Sequence, residues 1–165
     1  MTDLWQIIQD KIVSADSLAA RLDSERRPKV VFTNGCFDLL HQGHLNYLAR
    51  ARQLGDMLIV GLNSDHSVRR LKGEGRPVND ERSRALMLAS LQVVDYVVLF
   101  DEDTPYNIIS MLQPDVLVKG GDYDLSQIVG ADIVKARGGK VLAIDFLPGY
   151  SSTTIIEKIK NAEIL

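Results

Sequence analysis

The sequence predicts an α/β domain, a parallel sheet of about five strands with helices on both faces and an N-terminal helical extension. Apolar runs of strand length recur at 30–33, 57–62, 96–100, 116–119 and 141–146. Segments with apolar residues at helical spacing, 44–54, 80–91, 105–112, 125–136 and 153–159, fill the gaps between them. Strands that alternate with helices form a parallel sheet, because each parallel crossover needs a covering element to return the chain. The arrangement is Rossmann-like.

Each element has its own signal. Residues 2 to about 23 carry Leu4, Ile7, Ile8, Ile12, Leu18 and Leu22 at helical spacing, and Ser14 or Asp16 is placed to cap a second short helix there. Residues 24–29 form a charged connector containing a proline. Val30-Val31-Phe32 is the apolar body of the first strand, and Leu45, Leu48, Ala49 and Leu54 mark the helix after it. Asp101-Glu102-Asp103 reads as a solvated cap before the 105–112 helix. No repeat, low-complexity tract or linker interrupts the pattern, so 1–165 reads as one domain, with 1–27 as the extension and 28–165 as the core.

Composition sets the class. The 165 residues, 45% hydrophobic and 25% charged, suit a globular core, and the net charge of −3 argues against non-specific nucleic-acid binding. No apolar run is long enough to span a membrane. Met1-Thr2-Asp3-Leu4-Trp5 lacks the basic start and apolar core of a signal peptide, and one cysteine cannot form an internal disulfide. These features lead us to expect a cytoplasmic protein without membrane or nucleic-acid partners.

The densest chemistry is Thr33-Asn34-Gly35-Cys36-Phe37-Asp38-Leu39-Leu40-His41-Gln42-Gly43-His44, where a strand gives way to a helix. His41 and His44 are three apart and share a helix face. Ligands of open α/β sheets bind beyond the carboxyl ends of the strands, and helix N-termini offer free N–H groups to phosphate. Gly43, without a Cβ, would let an anion approach the backbone. The pair would then donate hydrogen bonds to phosphate; caps or surface histidines are the plainer reading. Zinc takes three or four ligands, and the chain has three histidines and one cysteine, with His66 far downstream. Cys36 near His41 invites a nucleophile reading, but such a cysteine is more often a small buried apolar residue.

Other strand ends collect at the same edge of a parallel sheet. They are Asn63-Ser64-Asp65, Lys119-Gly120-Gly121-Asp122 and the run before the last helix, Ser151-Ser152-Thr153-Thr154. Ser152 or Thr153 suits an N-cap, and four hydroxyls in a row suggest a second phosphate cradle. Between 69 and 84, six cations (Arg69, Arg70, Lys72, Arg76, Arg82, Arg84) face three carboxylates, leaving +3 in a chain of net −3. Residues 72–77 read as a loop by their glycines and proline, and a basic mobile loop suits an anionic substrate and a lid.

These segments resemble a known superfamily. Gly35-x-Phe37-Asp38 with His41-x-Gly43-His44 and a late Ser152-Thr153-Thr154 resembles the cytidylyltransferase-type nucleotidyltransferases. Within it, Thr33–Asp38, Asn63-Ser64-Asp65, Arg70-Leu71-Lys72-Gly73, Arg76-Pro77-Val78-Asn79 and Val118-Lys119-Gly120-Gly121-Asp122-Tyr123 look like the bacterial D-glycero-β-D-manno-heptose 1-phosphate adenylyltransferases. That activity also forms the second enzymatic half of bifunctional ADP-heptose synthases, and the chain is similar to the stand-alone form. The likeness runs from about residue 28 onward.

The resemblance implies transfer of AMP from ATP to a sugar 1-phosphate, giving ADP-heptose and pyrophosphate for lipopolysaccharide biosynthesis. His41, His44, Lys72 and Arg84 are the implied catalytic residues, with Arg82 the nearby competitor of Arg84. Thr33, Asn34, Gly35, Phe37, Gly43, Gly120, Asp122, Ser152, Thr153 and Thr154 are the implied nucleotide and phosphate contacts. Asn63, Asp65 and Lys119 are implied substrate contacts, and Asp38 belongs to the sugar-phosphate site or to the metal. Mg²⁺ would sit mainly on triphosphate oxygens, since magnesium often keeps few protein ligands. A homo-oligomer, a dimer, is the expected assembly. A cytidylyltransferase acting on glycerol 3-phosphate and a non-catalytic nucleotide-binding regulator are the competing readings.

Overall fold

The computed structural model describes residues 3–23, 27–121, 124–125 and 127–162. Five strands, β1 (Val30–Gly35), β2 (Met57–Asn63), β3 (Tyr96–Phe100), β4 (Val116–Gly120) and β5 (Lys140–Ile144), form one sheet in the order β3-β2-β1-β4-β5. Every neighbouring pair is parallel; Val31 lies beside Leu58 on one side and Val116 on the other. Chain order reverses direction between β1 and β4, which makes their carboxyl ends the topological switch point where such sheets bind ligands.

The strands are apolar because both faces are covered. Side chains alternate across a strand. Val31, Leu58, Val60 and Val118 therefore join one core cluster with Leu48 and Leu88, while Val30, Phe32, Ile59 and Leu117 join a second with Ile109 and Val134. Helices α3 (Gln42–Arg52) and α5 (Glu81–Ala89) supply the first cluster; α6 (Tyr106–Leu112) and α7 (Ala131–Ala136) supply the second.

The N-terminal extension holds α1 (Leu4–Asp10) and α2 (Ala15–Leu22), and Ser14, not Asp16, caps α2 by accepting from the Ser17 N–H. Leu18 and Leu22 are buried in the second cluster. Between the helices, residues 11–13 pair with the sheet edge: Val97 donates to Lys11 at 2.9 Å, and Val13 donates to Val97 at 3.0 Å. The extension thus covers an edge strand that would otherwise expose unpaired backbone groups. Residues 24–26 of the connector lie outside the described residues.

Four elements differ from expectation. A helix, α4 (Asp65–Lys72), follows β2 where the sequence reads as turn and loop. Val68 is its one buried apolar residue, so its charged side chains give no stripe to detect; Ser64 caps it through the Ser67 N–H. Helix α7 is shorter than 125–136, because 127–128 are bends, 129–130 a turn, and Gly130 precedes it at φ 85. Strand β5 ends at Ile144, leaving Phe146 exposed beyond the sheet. The last helix, α8 (Ser152–Asn161), is capped by Ser151, so the cap lies one residue earlier than expected.

Candidate active site

The site is built where β1 hands over to α3. After the strand the chain turns sharply through Phe37, a non-glycine residue at φ 43 whose ring is buried. Such a backbone costs energy and persists where the surroundings hold it. His41 then caps α3, its Nδ1 accepting from the His44 N–H at 3.4 Å. An acceptor Nδ1 places the proton of the neutral ring on Nε2. The two imidazoles stack, with centroids 3.8 Å apart, and the Phe37 ring leans on His44 at 5.2 Å.

Both rings are held in the neutral form. Burial pushes His41 below its ordinary value. Burial, then the His41 imidazole and the Lys72 ammonium, push His44 down to about 4. The Leu39 carbonyl opposes this weakly and does not reach hydrogen-bond geometry, so the buried His44 Nδ1 has no partner. At Gly43 an added Cβ would stand 3.0 Å from the His41 ring and 3.1 Å from Tyr150 Cβ, so the missing side chain makes room for the histidine.

His44 lines a cleft of about 470 Å³ over the carboxyl ends of β1 and β4. Asn34, Gly35, Lys119 and Gly120 line the strand ends; Lys72 and Arg76 stand on one side and Ser152 and Phe146 on another. Lys119 Nζ donates to Asn34 Oδ1 at 2.8 Å, a bridge across the switch point, and burial lowers its pKa. Gly120 lies under Phe146, whose ring would stand 2.4 Å from an added Cβ. Cys36 also lines the cleft, but burial pushes its thiol up, which keeps it protonated and unsuited to attack.

Several expected contacts have other duties. Thr33 is buried, its Oγ1 2.6 Å from the Tyr47 hydroxyl, so it ties β1 to α3 instead of facing the cleft. Arg84 is 0% exposed: it donates to the carbonyls of Asn79, Cys36 and Asn63 and to Asp65 Oδ1 at 2.6–3.0 Å. Its position in the first two turns of α5 points it under the cleft, where it joins the ends of β1 and β2, and Asp65 is its counter-ion. Asn63 lines the cleft, but its amide donates to Ser67 Oγ. Asp38 lines the cleft with its carboxylate already committed to residues 76–79.

The hydroxyl run divides. Ser152 donates to the Leu39 carbonyl at 3.1 Å and lines the cleft, whereas Ser151 and Thr154 bond to each other and Thr153 is exposed. Asp122 lies outside the described residues. The sequence counts Arg76 only among the cations of the basic loop and gives Phe146 no role, and both line the cleft. The Arg76-Pro77 dipeptide in a basic loop was the available signal for the first; nothing local marks the second. Among the described residues no group of three or more His, Cys, Asp and Glu side chains is placed to hold a metal, and no helix is long and apolar enough to cross a membrane.

Comparison with known proteins gives consistent relatives. Residues 32–158 match the family described as Cytidylyltransferase-like. The bifunctional protein HldE of Campylobacter concisus is 57% identical over 94% of this chain, and that of Citrifermentans bemidjiense is 60% identical over 92%. The chain spans about a third of those relatives, 32% of each. A lipopolysaccharide core biosynthesis protein from Thermoplasma volcanium superposes with a TM-score of 0.60 at 29% identity, over 73% of this chain and 97% of that one. A pantoate-β-alanine ligase from Francisella tularensis superposes at 0.58 with 17% identity, over 90% of this chain and 76% of that one, a likeness of fold alone.

Proposed function

Because this chain belongs to the cytidylyltransferase-like family, we propose that it is an adenylyltransferase that moves AMP from ATP to D-glycero-β-D-manno-heptose 1-phosphate, giving ADP-heptose and pyrophosphate in the cytoplasm. One observation carries the reading: His44, stacked on His41 and neutral like it, lines a cleft with Lys72, Arg76 and Lys119 at the sheet's switch point. The similarity to the HldE proteins and to a lipopolysaccharide core biosynthesis protein supports the sugar branch.

The chemistry suits these residues. An oxygen of the sugar phosphate attacks the α-phosphorus of ATP. A new P–O bond forms there, the bond to the β-phosphate oxygen breaks, and pyrophosphate leaves with that electron pair. The attacking oxygen is already ionised near neutral pH, so no base is needed. Positioning and charge stabilisation carry the rate. His41 Nε2–H and the His44 imidazole donate to oxygens that gain charge; as neutral donors they need not lose a proton. Lys119 holds a fixed cation on the strand ends, and Lys72 brings a second from the end of α4. Mg²⁺ enters with the triphosphate as part of the substrate, which suits a metal that keeps few protein ligands.

A pyrophosphate-release screen of ATP and CTP against heptose 1-phosphate and glycerol 3-phosphate tests this. The expected result is turnover with ATP and the heptose. Faster turnover of CTP with glycerol 3-phosphate would replace the substrate pair. Nucleotide binding without pyrophosphate from any acceptor would make the protein a regulator.

A further inference from the structure

Arg76 is a cation of the cleft that the sequence places in the basic 69–84 segment and in the Arg76–Asn79 likeness without a role of its own. Its side chain is 16% exposed and lines the cleft. Asp38 grips it by Nε, 2.6 Å from Oδ2. Among the described residues Nη1 and Nη2 have no hydrogen-bond partner. The grip is itself fixed. Asp38 is 2% exposed, and its Oδ1 accepts from the N–H of Val78 at 2.8 Å and of Asn79 at 3.0 Å. Asn79 Nδ2 returns a bond to the Asp38 carbonyl at 2.9 Å. Four bonds thus tie residue 38, in the loop that leads to His41, to the segment 76–79. The chain before this strap is exposed over 73–75, and an added Cβ on Gly73 or Gly75 would meet nothing within 4 Å.

We propose that Arg76 binds a phosphate of the nucleotide, and that Asp38 is a positioning residue acting through it. The proposal rests on the nucleotidyl-transfer reading and adds a residue to it. A guanidinium held by Nε alone keeps its terminal fork, which matches two phosphate oxygens side by side. A flexible arginine loses rotamer freedom when it binds; one clamped beforehand has lost it already. The same clamp accounts for the motif aspartate. Three donors converge on its two oxygens, one of them a cation, so it anchors the strap instead of reaching for a metal or sugar.

Calorimetric binding of ATP with Mg²⁺, and pyrophosphate release, on Arg76→Ala, Arg76→Lys, Asp38→Asn and the double variant Asp38→Asn/Arg76→Ala test both roles. Arg76→Ala should weaken ATP binding about ten- to a hundred-fold, the usual range for hydrogen bonds to charged groups. Arg76→Lys should recover little, because the fork is gone. Asp38→Asn should cause a similar loss that vanishes in the Arg76→Ala background, with the half-saturating Mg²⁺ concentration unchanged. Unchanged ATP binding by Arg76→Ala would overturn the phosphate contact. Additive losses, or a shifted Mg²⁺ requirement, would overturn the positioning role and give Asp38 a separate one. Should Asp38→Asn fail to fold, Asn79→Ala takes its place in the cycle. A loss that disappears without Arg76 then supports positioning, and one that persists overturns it. The binding arm needs only ATP, so absence of pyrophosphate release from the unaltered protein would defeat the reaction assignment and still leave Arg76 decided.

Discussion

Acidification should unfold this protein partly through one imidazole. Unfolded, His44 takes up its proton near its ordinary value of 6.5; folded, burial and the His41 and Lys72 neighbours delay that to about 4. Above the ordinary value neither state is protonated and the group is silent. Between the two values only the unfolded chain binds the proton, so stability falls as pH falls, by about 1.4 kcal/mol per unit. From about pH 7 to about pH 5 the loss is about 2 kcal/mol, a large part of a typical folding free energy. His41, also lowered by burial, adds in the same direction. Urea denaturation of the unaltered protein and of His44→Gln at both pH values isolates the effect, because all other groups titrate in both. The unaltered protein should lose about 2 kcal/mol more than the variant. Equal losses would refute the half-buried, neutral His44 on which the donor role depends.

Other consequences follow from the same contacts. His41→Ala and His44→Ala should each lower kcat by about 10²–10³ with smaller changes in KM, the scale for one preorganised donor to developing charge, and the losses should not multiply if both serve one phosphate; normal kcat in the folded variants would remove them from the reaction. Arg84→Met should destabilise the fold by about 3 kcal/mol in denaturant titrations, since it strips a half-buried carboxylate partner and three carbonyls of their donor; unchanged stability with lost ATP binding would return Arg84 to the triphosphate. Lys72→Ala should weaken use of both phosphate substrates, more so at low ionic strength if the exposed ammonium steers anions; kinetics unaltered at every salt concentration would make it an ordinary surface lysine.

The sheet was legible because each strand is a short apolar run whose two faces are both covered, and periodicity reports that directly. The histidine corner was legible because strand, turn and helix signals adjoin within residues 30–54. Helix α4 was not, since it buries only Ser67 and Val68 and is held by a cap and by its neighbours. Arg84 shows a deeper limit. A cation near a phosphate motif reads as a ligand contact, whereas four acceptors from three separate segments, brought together only by folding, make it a buried strut. Thr33 and Asp38 follow the same rule: their partners lie 14 and about 40 residues away, beyond any local pattern.

In the proposed reaction a sugar phosphate oxygen displaces pyrophosphate from ATP in this cleft. Heptose 1-phosphate carrying ¹⁸O on its phosphate, incubated with ATP, Mg²⁺ and the protein and analysed by mass spectrometry, tests it most directly. ADP-heptose should retain all the label, with unlabelled pyrophosphate formed in equal amount. Label in pyrophosphate, or pyrophosphate formed without ADP-heptose, would contradict it.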